Sequence, residues 1–408
     1  MHPSEHIRAS KDDVLSGKRI VLGVTGSIAA VETVKMAREL IRFGAEVFPV
    51  MSPAATRILH PDALWFSTGN RPVTETTGAV EHVSFCGEVP DRVDLLLIAP
   101  ATANTISKIA CGIDDTPVTT FATTAIGSGV PILVVPAMHS SMYKNPFVTE
   151  NVQKLKDRGV MFVEPRWEEK KAKMPEVDVV VDHTIRAICG KWKKRVLVVT
   201  GSTVERLDDM RALTNMSTGA MGVALVREAF RAGADVEVWC GRSFKEVPSY
   251  VPVSCFESVS DLVGLVERAE KDRTDGAEKR WDVVFVPAAI SDYTPERFEG
   301  KIPSGQDELV LTLRRTQKVL PLLRKFAGFL VGFKAESRVD PQTLVERAKK
   351  RMEEWGLDMV VANRLEDVGV DETRVFLVDR DGDVREVSGS KTRVAREILG
   401  EVKRRVQV

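Results

Sequence analysis

The sequence predicts an α/β protein made of two doubly wound units, each built on a mostly parallel sheet. Two buried-strand patterns end alike, "KRIVLGVTGS" (18–27) and "KRVLVVTGS" (194–202). Each is followed by an amphipathic helical pattern and by a similar second strand, "GAEVFPVMS" or "GADVEVWCG". Further short apolar runs alternate with helical segments, which is typical of parallel strands connected by helices. The predicted fold is therefore two Rossmann-like domains in one chain.

The individual elements follow in order along the chain. After the first strand, apolar residues at helical spacing indicate a helix that ends before Gly44: Ile28, Val31, Val34, Ala37, Leu40 and Ile41. Later buried strands are predicted at "DLLLIAP" (94–100), "PILVVP" (131–136), "WDVVFVP" (281–287), "FLVGFKA" (329–335) and "DMVVAN" (358–363). The charged stretch "KWKKR" (191–195) is interpreted as a solvated linker. It places the domains at residues 1–190 and 191–408.

Composition excludes several classes of partner. The 408 residues include 58 basic and 58 acidic side chains, so no net charge attracts nucleic acid or a membrane surface. No signal peptide and no long apolar run is present, and we expect a cytoplasmic protein. The five cysteines form no CxxC pair, so the sequence predicts neither a disulfide framework nor a zinc site. Most of them are expected to be small buried hydrophobic residues.

The turns after the strands are where a doubly wound fold binds ligands. Gly26 and Ser27 open a helix in "GVTGSIAA", which lets backbone N–H groups approach a phosphate. The G-x-G-x-x-G spacing and the acidic residue after the second strand are absent, which argues against a nicotinamide-dependent oxidoreductase. No P-loop occurs either. The sequence therefore predicts a mononucleotide-sized anion site, with hydroxyls from 99–104 and 119–125 near a phosphate or an isoalloxazine edge.

Two sets of motifs are specific enough to indicate a resemblance to known families. "TGSIAA", "VEHV" (80–83), "APATANTISKIACGIDD" (99–115) and "PAMHSSMY" (136–143) resemble the flavin-dependent cysteine decarboxylase family. "TGSTVERLDDMRALTNMSTGAMG" (200–222), "AAISDY" (288–293), "GKIP" (300–303) and "GFKAE" (332–336) resemble phosphopantothenate–cysteine ligase. Together they resemble the fused bifunctional enzymes of coenzyme A biosynthesis, with the decarboxylase first. The resemblance covers nearly the whole chain from about residue 18.

For the N-terminal domain the resemblance implies a flavodoxin-like fold that binds FMN and converts 4'-phosphopantothenoylcysteine to 4'-phosphopantetheine. In this family FMN oxidises the thiol to a thioaldehyde, which accepts the electrons of the breaking bond to CO₂. His82 matches the catalytic histidine. His139 stands where most members have asparagine, as in an archaeal variant, and would meet the substrate carboxylate in a loop with Met138 and Met142. The expected cofactor residues are Gly26, Ser27, Ser52, Thr102, Asn104 and Thr123.

For the C-terminal domain the resemblance implies ligation of 4'-phosphopantothenate to cysteine through an acyl-cytidylate, with CTP and Mg²⁺. Asn215 matches the residue that handles the acyl intermediate, Asp292 a nucleotide contact and Lys301 the lysine that supports it. The other substrate or nucleotide residues expected from the match are Arg211, Gly219, Gly222 and Phe333. No metal ligand is assigned. Family members form oligomers, and the resemblance implies a homo-oligomer with a dodecamer as one arrangement.

Some positions depart from the family pattern. The region that matches a mobile flap, 164–178, lacks the usual cysteine, so Lys171, Lys173 or solvent would supply the last proton. Ala220 and Ser304 replace basic residues, which leaves open whether CTP or ATP is the nucleotide. Alternatives for the first half are a flavin prenyltransferase, a peptidyl-cysteine decarboxylase or a non-catalytic regulator. None of these explains the ligase-like second half.

Overall fold

The computed structural model describes residues 2–169, 171–271, 280–305, 307–369 and 372–406. The chain divides into two compact units, residues 1–190 and 191–408. Within the described ranges, no helix is both long and apolar enough to cross a membrane. Each unit is described by itself below.

The first unit alternates strands and helices. Its strands are β1 (Arg19–Val24), β2 (Glu46–Met51), β3 (Leu95–Ala101), β4 (Ile132–Pro136), β5 (Met138–His139), β6 (Met161–Phe162), β7 (Arg166–Glu168) and β8 (Lys171–Lys173). Its helices are α1 (Thr33–Arg42), α2 (Pro53–Thr56), α3 (Pro61–Thr68), α4 (Glu81–Cys86), α5 (Ala103–Cys111), α6 (Pro117–Ser128), α7 (Ser140–Tyr143), α8 (Pro146–Lys156) and α9 (Val177–Cys189). Short 3₁₀ turns cover Glu5–Ile7 and Ile28–Glu32.

The main sheet of the first unit is parallel, in the order β2-β1-β3-β4-β6. This is the flavodoxin-like order, in which the strand sequence reverses between β1 and β3. Successive residues of β3 alternate between two cores, with Leu95 and Leu97 in one and Leu96 and Ile98 in the other. Both faces of the sheet are therefore covered, which explains the nearly continuous apolar runs of its strands.

The helix predicted after β1 is shorter than the apolar spacing indicated. Residues 28–32 form a 3₁₀ turn, and α1 begins only at Thr33. Ile28 is 77% exposed and Val31 is 46% exposed, whereas Leu40 and Ile41 are fully buried. The first two residues were wrongly placed on the buried face, because the 3₁₀ turn has a different angular step from the α-helix that follows.

The second unit is larger. Its strands are β9 (Arg195–Thr200), β10 (Val204–Arg206), β11 (Ala212–Thr214), β12 (Asp235–Cys240), β13 (Val253–Cys255), β14 (Trp281–Val286), β15 (Tyr293–Pro295), β16 (Leu313–Arg315), β17 (Ala327–Glu336), β18 (Met359–Arg364), β19 (Glu372–Asp379) and β20 (Val384–Ser390). Its helices are α10 (Ala220–Arg231), α11 (Val259–Lys271), α12 (Val319–Leu323), α13 (Pro341–Trp355) and α14 (Lys391–Val406), with a 3₁₀ turn at Leu365–Asp367.

The large sheet of this unit has the order β13-β12-β9-β14-β17-β18-β19-β20. The first six of these strands are parallel and follow the 3-2-1-4-5-6 order of a Rossmann fold, reversing between β9 and β14. β19 and β20 are added antiparallel at the end. The predicted doubly wound fold is confirmed for both units, and the antiparallel extension is the part that the sequence analysis missed.

Two local predictions were wrong. The stretch 191–195 is not a solvated linker throughout, because Trp192 is 5% exposed and packs into the second unit's core, and its backbone N–H donates to Ala232. The cysteines are not mostly buried either. Only Cys86 is buried, while Cys111 and Cys255 are exposed. Small apolar character alone did not decide where these thiols lie.

Candidate active sites

The carboxyl edge of the first unit's sheet brings together predicted cofactor residues. Ser27 follows β1, Ser52 follows β2 and Thr102 follows β3, and these strands are neighbours in the sheet. Each hydroxyl oxygen accepts a hydrogen bond from a backbone N–H in the first turn that follows it, at 3.3–3.4 Å. An accepting hydroxyl keeps its own proton, so each can still donate to a bound anion. These groups line the point where the strand order reverses.

The turn after β1 is held tightly by its neighbours. A Cβ atom on Gly26 would lie 2.5 Å from the Cβ of Ala54, so only glycine fits at this position. The Thr25 hydroxyl donates to the carbonyl of Pro100 at 2.7 Å and accepts from the N–H of Thr102 at 3.0 Å. The turns that follow β1 and β3 are therefore fastened together at the switch point, and Gly26 packs closely against Ala54.

Two other predicted cofactor residues lie on helices. Asn104 is exposed in the first turn of α5, close to the cap formed by Thr102. Thr123 is exposed in the middle of α6. The structure gives neither side chain a protein hydrogen-bond partner among the described residues, and both assignments stay predictions.

His82 lies in α4, which packs against α6. Its ring meets the ring of Phe121 edge to face, with the centroids 6.4 Å apart. Its Nδ1 is buried and has no hydrogen-bond partner within the described part of the protein. Buried ring nitrogens are normally satisfied, so this atom is available to a ligand. One turn later in the same helix, burial raises the pKa of the Cys86 thiol to about 12, and that thiol stays protonated near neutral pH.

The loop that carries His139 is paired to a hairpin. β5 runs antiparallel to β8, with Met138 opposite Ala172 and His139 opposite Lys171. β7 completes a three-stranded sheet on the other side of β8. The hairpin of β7 and β8 is the predicted flap, so the structure attaches this flap to the loop that it was expected to cover. This pairing could not be predicted from the sequence, because β5 and β8 are only two and three residues long.

The side chains of this small sheet differ in their exposure and in their contacts. His139 is exposed and precedes α7 without capping it through its side chain. Tyr143, at the end of α7, meets the ring of Trp167 in β7 edge to face at 5.3 Å. Lys173 lies 3.0 Å from Glu168, and that hydrogen bond raises the pKa of Lys173. Of the two lysines considered as proton donors, Lys171 is the one placed opposite His139.

The switch point of the second unit lies between β9 and β14. The loop after β9 and the loop after β14 pair there, with the N–H of Thr203 donating to the carbonyl of Ala289 at 3.2 Å. The side-chain amide of Asn215 donates to the same carbonyl at 3.1 Å, and the carbonyl of Asn215 accepts from the Ser202 hydroxyl at 3.0 Å. Asn215 is exposed. The structure therefore places Asn215 at the carboxyl edge of the sheet, and its catalytic role stays a prediction.

Two glycines open α10 at the same edge. Gly219 has φ +73°, and a Cβ there would lie 2.3 Å from the hydroxyl oxygen of Ser243. A Cβ on Gly222 would lie 1.9 Å from the hydroxyl oxygen of Thr200, the last residue of β9. Gly222 is thus required for contact between helix and strand, a role different from the close phosphate approach that was expected. Gly219 itself gives no side-chain cap, and the hydroxyl of Thr218 accepts from the N–H of Ala220, the first residue of α10, at 3.4 Å.

Arg211 and Lys301 are connected through a residue that the sequence analysis did not single out. The carboxylate of Asp208 is buried and accepts from the N–H groups of Met210 (2.7 Å), Arg211 (2.6 Å) and Ile302 (3.0 Å). The guanidinium of Arg211 donates to the same carboxylate at 2.9 Å. Burial acts to raise the pKa of Asp208, but these donors outweigh it and the pKa is lowered. Asp208 therefore fixes the loop of Lys301 to the hairpin of Arg211.

The remaining predicted residues lie on nearby elements. Asp292 precedes β15 and forms an ion pair with Lys318 at the start of α12. Lys301 is exposed, and no ion pair engages it in the part of the chain that the structure describes. Phe333 is partly buried on β17, opposite Val361 of β18. Lys318 was not among the predicted residues, since its partner Asp292 lies 26 positions away in the chain.

The described residues hold no group of three or more histidine, cysteine, aspartate or glutamate side chains that could bind a metal ion. Mg²⁺ commonly binds through one or two carboxylates plus substrate phosphates, so a protein-only cage is not required. The flavin fits better, because the hydroxyls of Ser27, Ser52 and Thr102 lie at one edge of the first unit's sheet and the buried Nδ1 of His82 is unpartnered among the described residues.

Comparison with known proteins finds the same division of the chain. The model of the Flavoprotein family matches residues 8–189, and that of the DNA/pantothenate metabolism flavoprotein C-terminal domain matches residues 192–406. A coenzyme A biosynthesis bifunctional protein CoaBC from Thermococcus kodakarensis is 48% identical, over 93% of this chain and 94% of the relative. The protein of that name from Methanocaldococcus jannaschii is 38% identical, over 100% of this chain and 98% of the relative.

A solved structure was also matched. The C-terminal domain of coenzyme A biosynthesis bifunctional protein CoaBC is 30% identical, and the match covers 52% of this chain and 96% of that one, with a TM-score of 0.43.

Proposed function

The chain belongs to the CoaBC family of coenzyme A biosynthesis bifunctional proteins, and we propose how its residues divide the two reactions. It is a bifunctional enzyme with a flavoprotein decarboxylase half and a ligase half. In our proposal residues 191–408 join 4'-phosphopantothenate to cysteine with CTP through an acyl-cytidylate. Residues 1–190 then decarboxylate 4'-phosphopantothenoylcysteine to 4'-phosphopantetheine with FMN. The observation that carries this proposal is that predicted site residues lie at a switch point in each unit.

The first unit would hold FMN through the turns after β1, β2 and β3. Ser27, Ser52 and Thr102 offer hydroxyl protons, and the turn at Gly26 would bring backbone N–H groups to a phosphate. Asn104 and Thr123 are proposed contacts on the adjoining helices. Bound FMN would supply two-electron oxidation of the substrate thiol and its later reversal.

His82 and His139 would act on the substrate in the first unit. The buried, unpartnered Nδ1 of His82 is suited to hold or move a proton at the reacting thiol. His139 is exposed at the end of β5, directly before α7, and its ring N–H can donate to the terminal carboxylate of the substrate. Met138 and Met142 would pack against the substrate on the same loop. Lys171, opposite His139, is our choice for the group that supplies the final proton.

In the second unit, Asn215 is held by Ala289 and would position the acyl intermediate at the β9/β14 switch point. Lys301 is exposed and would meet phosphate oxygens. The turn at Gly219 that opens α10 would accept another part of the nucleotide, while Gly222 keeps α10 in contact with β9. Asp292, paired with Lys318, would contact the nucleotide as an ion pair.

Arg211 and Phe333 complete the proposed substrate residues of this unit. The Arg211 guanidinium is bonded to Asp208, so it would contact a substrate anion only through its exposed part. Mg²⁺ would arrive bound to the triphosphate and neutralise the leaving pyrophosphate. We propose a homo-oligomer, with a dodecamer as one arrangement. Light scattering tests this proposal, and a monomeric mass would contradict it.

The division of labour is tested by mass spectrometry of complete reactions. The purified chain is given 4'-phosphopantothenate, cysteine, Mg²⁺ and either CTP or ATP, and a parallel reaction receives 4'-phosphopantothenoylcysteine without nucleotide. We expect 4'-phosphopantetheine in the CTP reaction and in the nucleotide-free one. Product with ATP alone would overturn the CTP assignment. The first unit would be shown not to decarboxylate 4'-phosphopantothenoylcysteine if this compound accumulated in the CTP reaction and remained unconverted in the nucleotide-free one.

A further inference from the structure

Cys240 and Cys255 stand opposite each other on two neighbouring strands of the second unit. β12 and β13 are parallel, and their register pairs Val238 with Val253 and Cys240 with Cys255. Neighbouring strands lie about 4.7–4.9 Å apart, and paired residues direct their side chains to the same face. A disulfide requires a Cα separation of roughly 4.4–6.8 Å. The strand spacing therefore satisfies the first geometric condition for a disulfide without moving the backbone.

The two thiols differ in exposure in a way that suits sequential reaction. Both are free, and Cys255 is exposed at the edge of the sheet while Cys240 is half-buried against the core. Burial raises the pKa of the Cys240 thiol, and the neighbouring Cys255 adds to the effect. The exposed thiol is therefore reached first by a reagent from solution, and the half-buried thiol is its nearest possible partner.

Metal binding explains this pair less well. Among the described residues, no group of three or more histidine, cysteine, aspartate or glutamate side chains is placed to hold a metal ion, so two sulfurs would bind alone. The other exposed thiol, Cys111, lies at the end of α5 in the first unit. It makes a suitable reference, because it is accessible but has no cysteine opposite it on a neighbouring strand.

We propose that Cys240 and Cys255 form a reversible disulfide when the protein meets a low-molecular-weight disulfide. The Cys255 thiolate attacks one sulfur of the reagent, the reagent's S–S bond breaks, and its first half leaves as a thiol after taking up a proton. The Cys240 sulfur then attacks the Cys255 sulfur of the mixed disulfide, and the second half leaves as a thiol. Two protein thiols are oxidised, and one small disulfide is reduced to two thiols.

The disulfide would lie next to the candidate ligase site. Its formation does not depend on the proposed function. Immediately after Cys240, the N–H of Gly241 donates to the carbonyl of Thr200 at 2.9 Å. Arg242 and Ser202 exchange two backbone hydrogen bonds, at 2.8 Å and 2.9 Å. This segment is therefore one wall of the loop that follows β9. A Cys240–Cys255 bond would tie that wall to the edge strand β13.

The experiment treats the native full-length protein with oxidised glutathione, blocks the remaining thiols and digests the protein without reduction. We expect a cross-linked peptide that joins Cys240 to Cys255 and the loss of two titratable thiols, both reversed by dithiothreitol. Cys240→Ser and Cys255→Ser are each expected to lose the cross-link, and Cys111→Ser is expected to keep it.

Two results would overturn the proposal. One is glutathione bound to Cys255 in the wild type with no conversion to the cross-linked peptide on longer incubation. The other is a cross-link that appears only after the protein has been unfolded, since the register of the folded sheet would then play no part. Circular dichroism of each variant before oxidation ensures that loss of the cross-link reflects the missing thiol and not a lost fold.

Discussion

His139 and Lys171 stand opposite each other in an antiparallel strand pair, although they lie on the two separate segments expected to be a substrate loop and its flap. The pair sets the distance between the loop and the hairpin. Because the strands are so short, backbone pairing alone gives this small sheet little stability. The edge-to-face contact of Tyr143 and Trp167 supplies a second attachment.

Removing that second attachment should weaken decarboxylation. Trp167→Ala deletes a ring contact of a kind worth about 0.5–1.5 kcal/mol, so the decarboxylation rate should fall roughly 2- to 10-fold. The ligation rate should not change. Single-turnover decarboxylation of 4'-phosphopantothenoylcysteine measures the effect. Trp65→Ala is the matched control, because Trp65 is similarly half-exposed but lies on α3. Equal rates for the two variants would argue against a role for the hairpin.

Replacing His82 should stop decarboxylation without removing the flavin. The Nδ1 of His82 has no protein partner among the described residues, and we assign it to proton handling. His82→Asn should therefore reduce decarboxylation by about 10²- to 10⁴-fold while the flavin absorbance of the purified protein persists. His60→Asn serves as the control, since His60 is an exposed helix cap and asparagine also caps well. Loss of flavin from His82→Asn would instead indicate a structural role.

The glycine at the start of α10 should be intolerant of a methyl group. Gly222→Ala places a carbon 1.9 Å from the Thr200 hydroxyl and should lower the free energy of unfolding by about 1–3 kcal/mol. Gly264→Ala, inside α11, meets only the end of Arg268 at 3.9 Å and should raise it by about 0.5–1 kcal/mol. Urea unfolding of both variants gives the comparison. Equal effects would mean that the helix can shift away from β9.

The Asp208 carboxylate should make the second unit sensitive to acid. Its pKa is lowered on folding, so its stabilising effect is present above the unfolded pKa, near 3.8, and is lost as the pH falls through the lower folded value. Asp208→Asn should therefore lower the thermal midpoint at pH 7, and the difference from wild type should shrink below about pH 4. Asp209→Asn, whose exposed carboxylate pairs with Arg297, should change little. A difference independent of pH would contradict this explanation.

Much of the fold could be predicted from the sequence. The strands of both parallel sheets appear as apolar runs, because β3 and its equivalents are buried on both faces. The exposed positions of Ile28 and Val31 could not be predicted, since a 3₁₀ turn and an α-helix share the same local residue preferences. The added strands β19 and β20 were missed because their edge position depends on pairing with β18.

Site residues that lie within one segment of the sequence could be proposed in advance, whereas contacts between residues far apart in the chain could not. Ser27 was proposed because it lies within a short motif that ends a strand, and Asn215 because residues 200–222 resemble the ligase family. The link from Asp208 to Ile302 joins residues 94 positions apart, and no local pattern signals it. The strand register that places Cys240 opposite Cys255 could not be predicted either, because each cysteine was considered by itself.

Two doubly wound units, the turns that end their strands and the resemblance of those turns to two enzyme families could all be recognised from the residues alone. Periodicity and turn chemistry act over a few neighbouring residues, so they can be recognised without coordinates. The pairing of the flap with the His139 loop and the link that Asp208 makes between two distant segments became visible only in the folded chain. The folded chain also sets two thiols opposite each other. These relationships depend on strand register and long-range contacts, which arise only when the chain has packed.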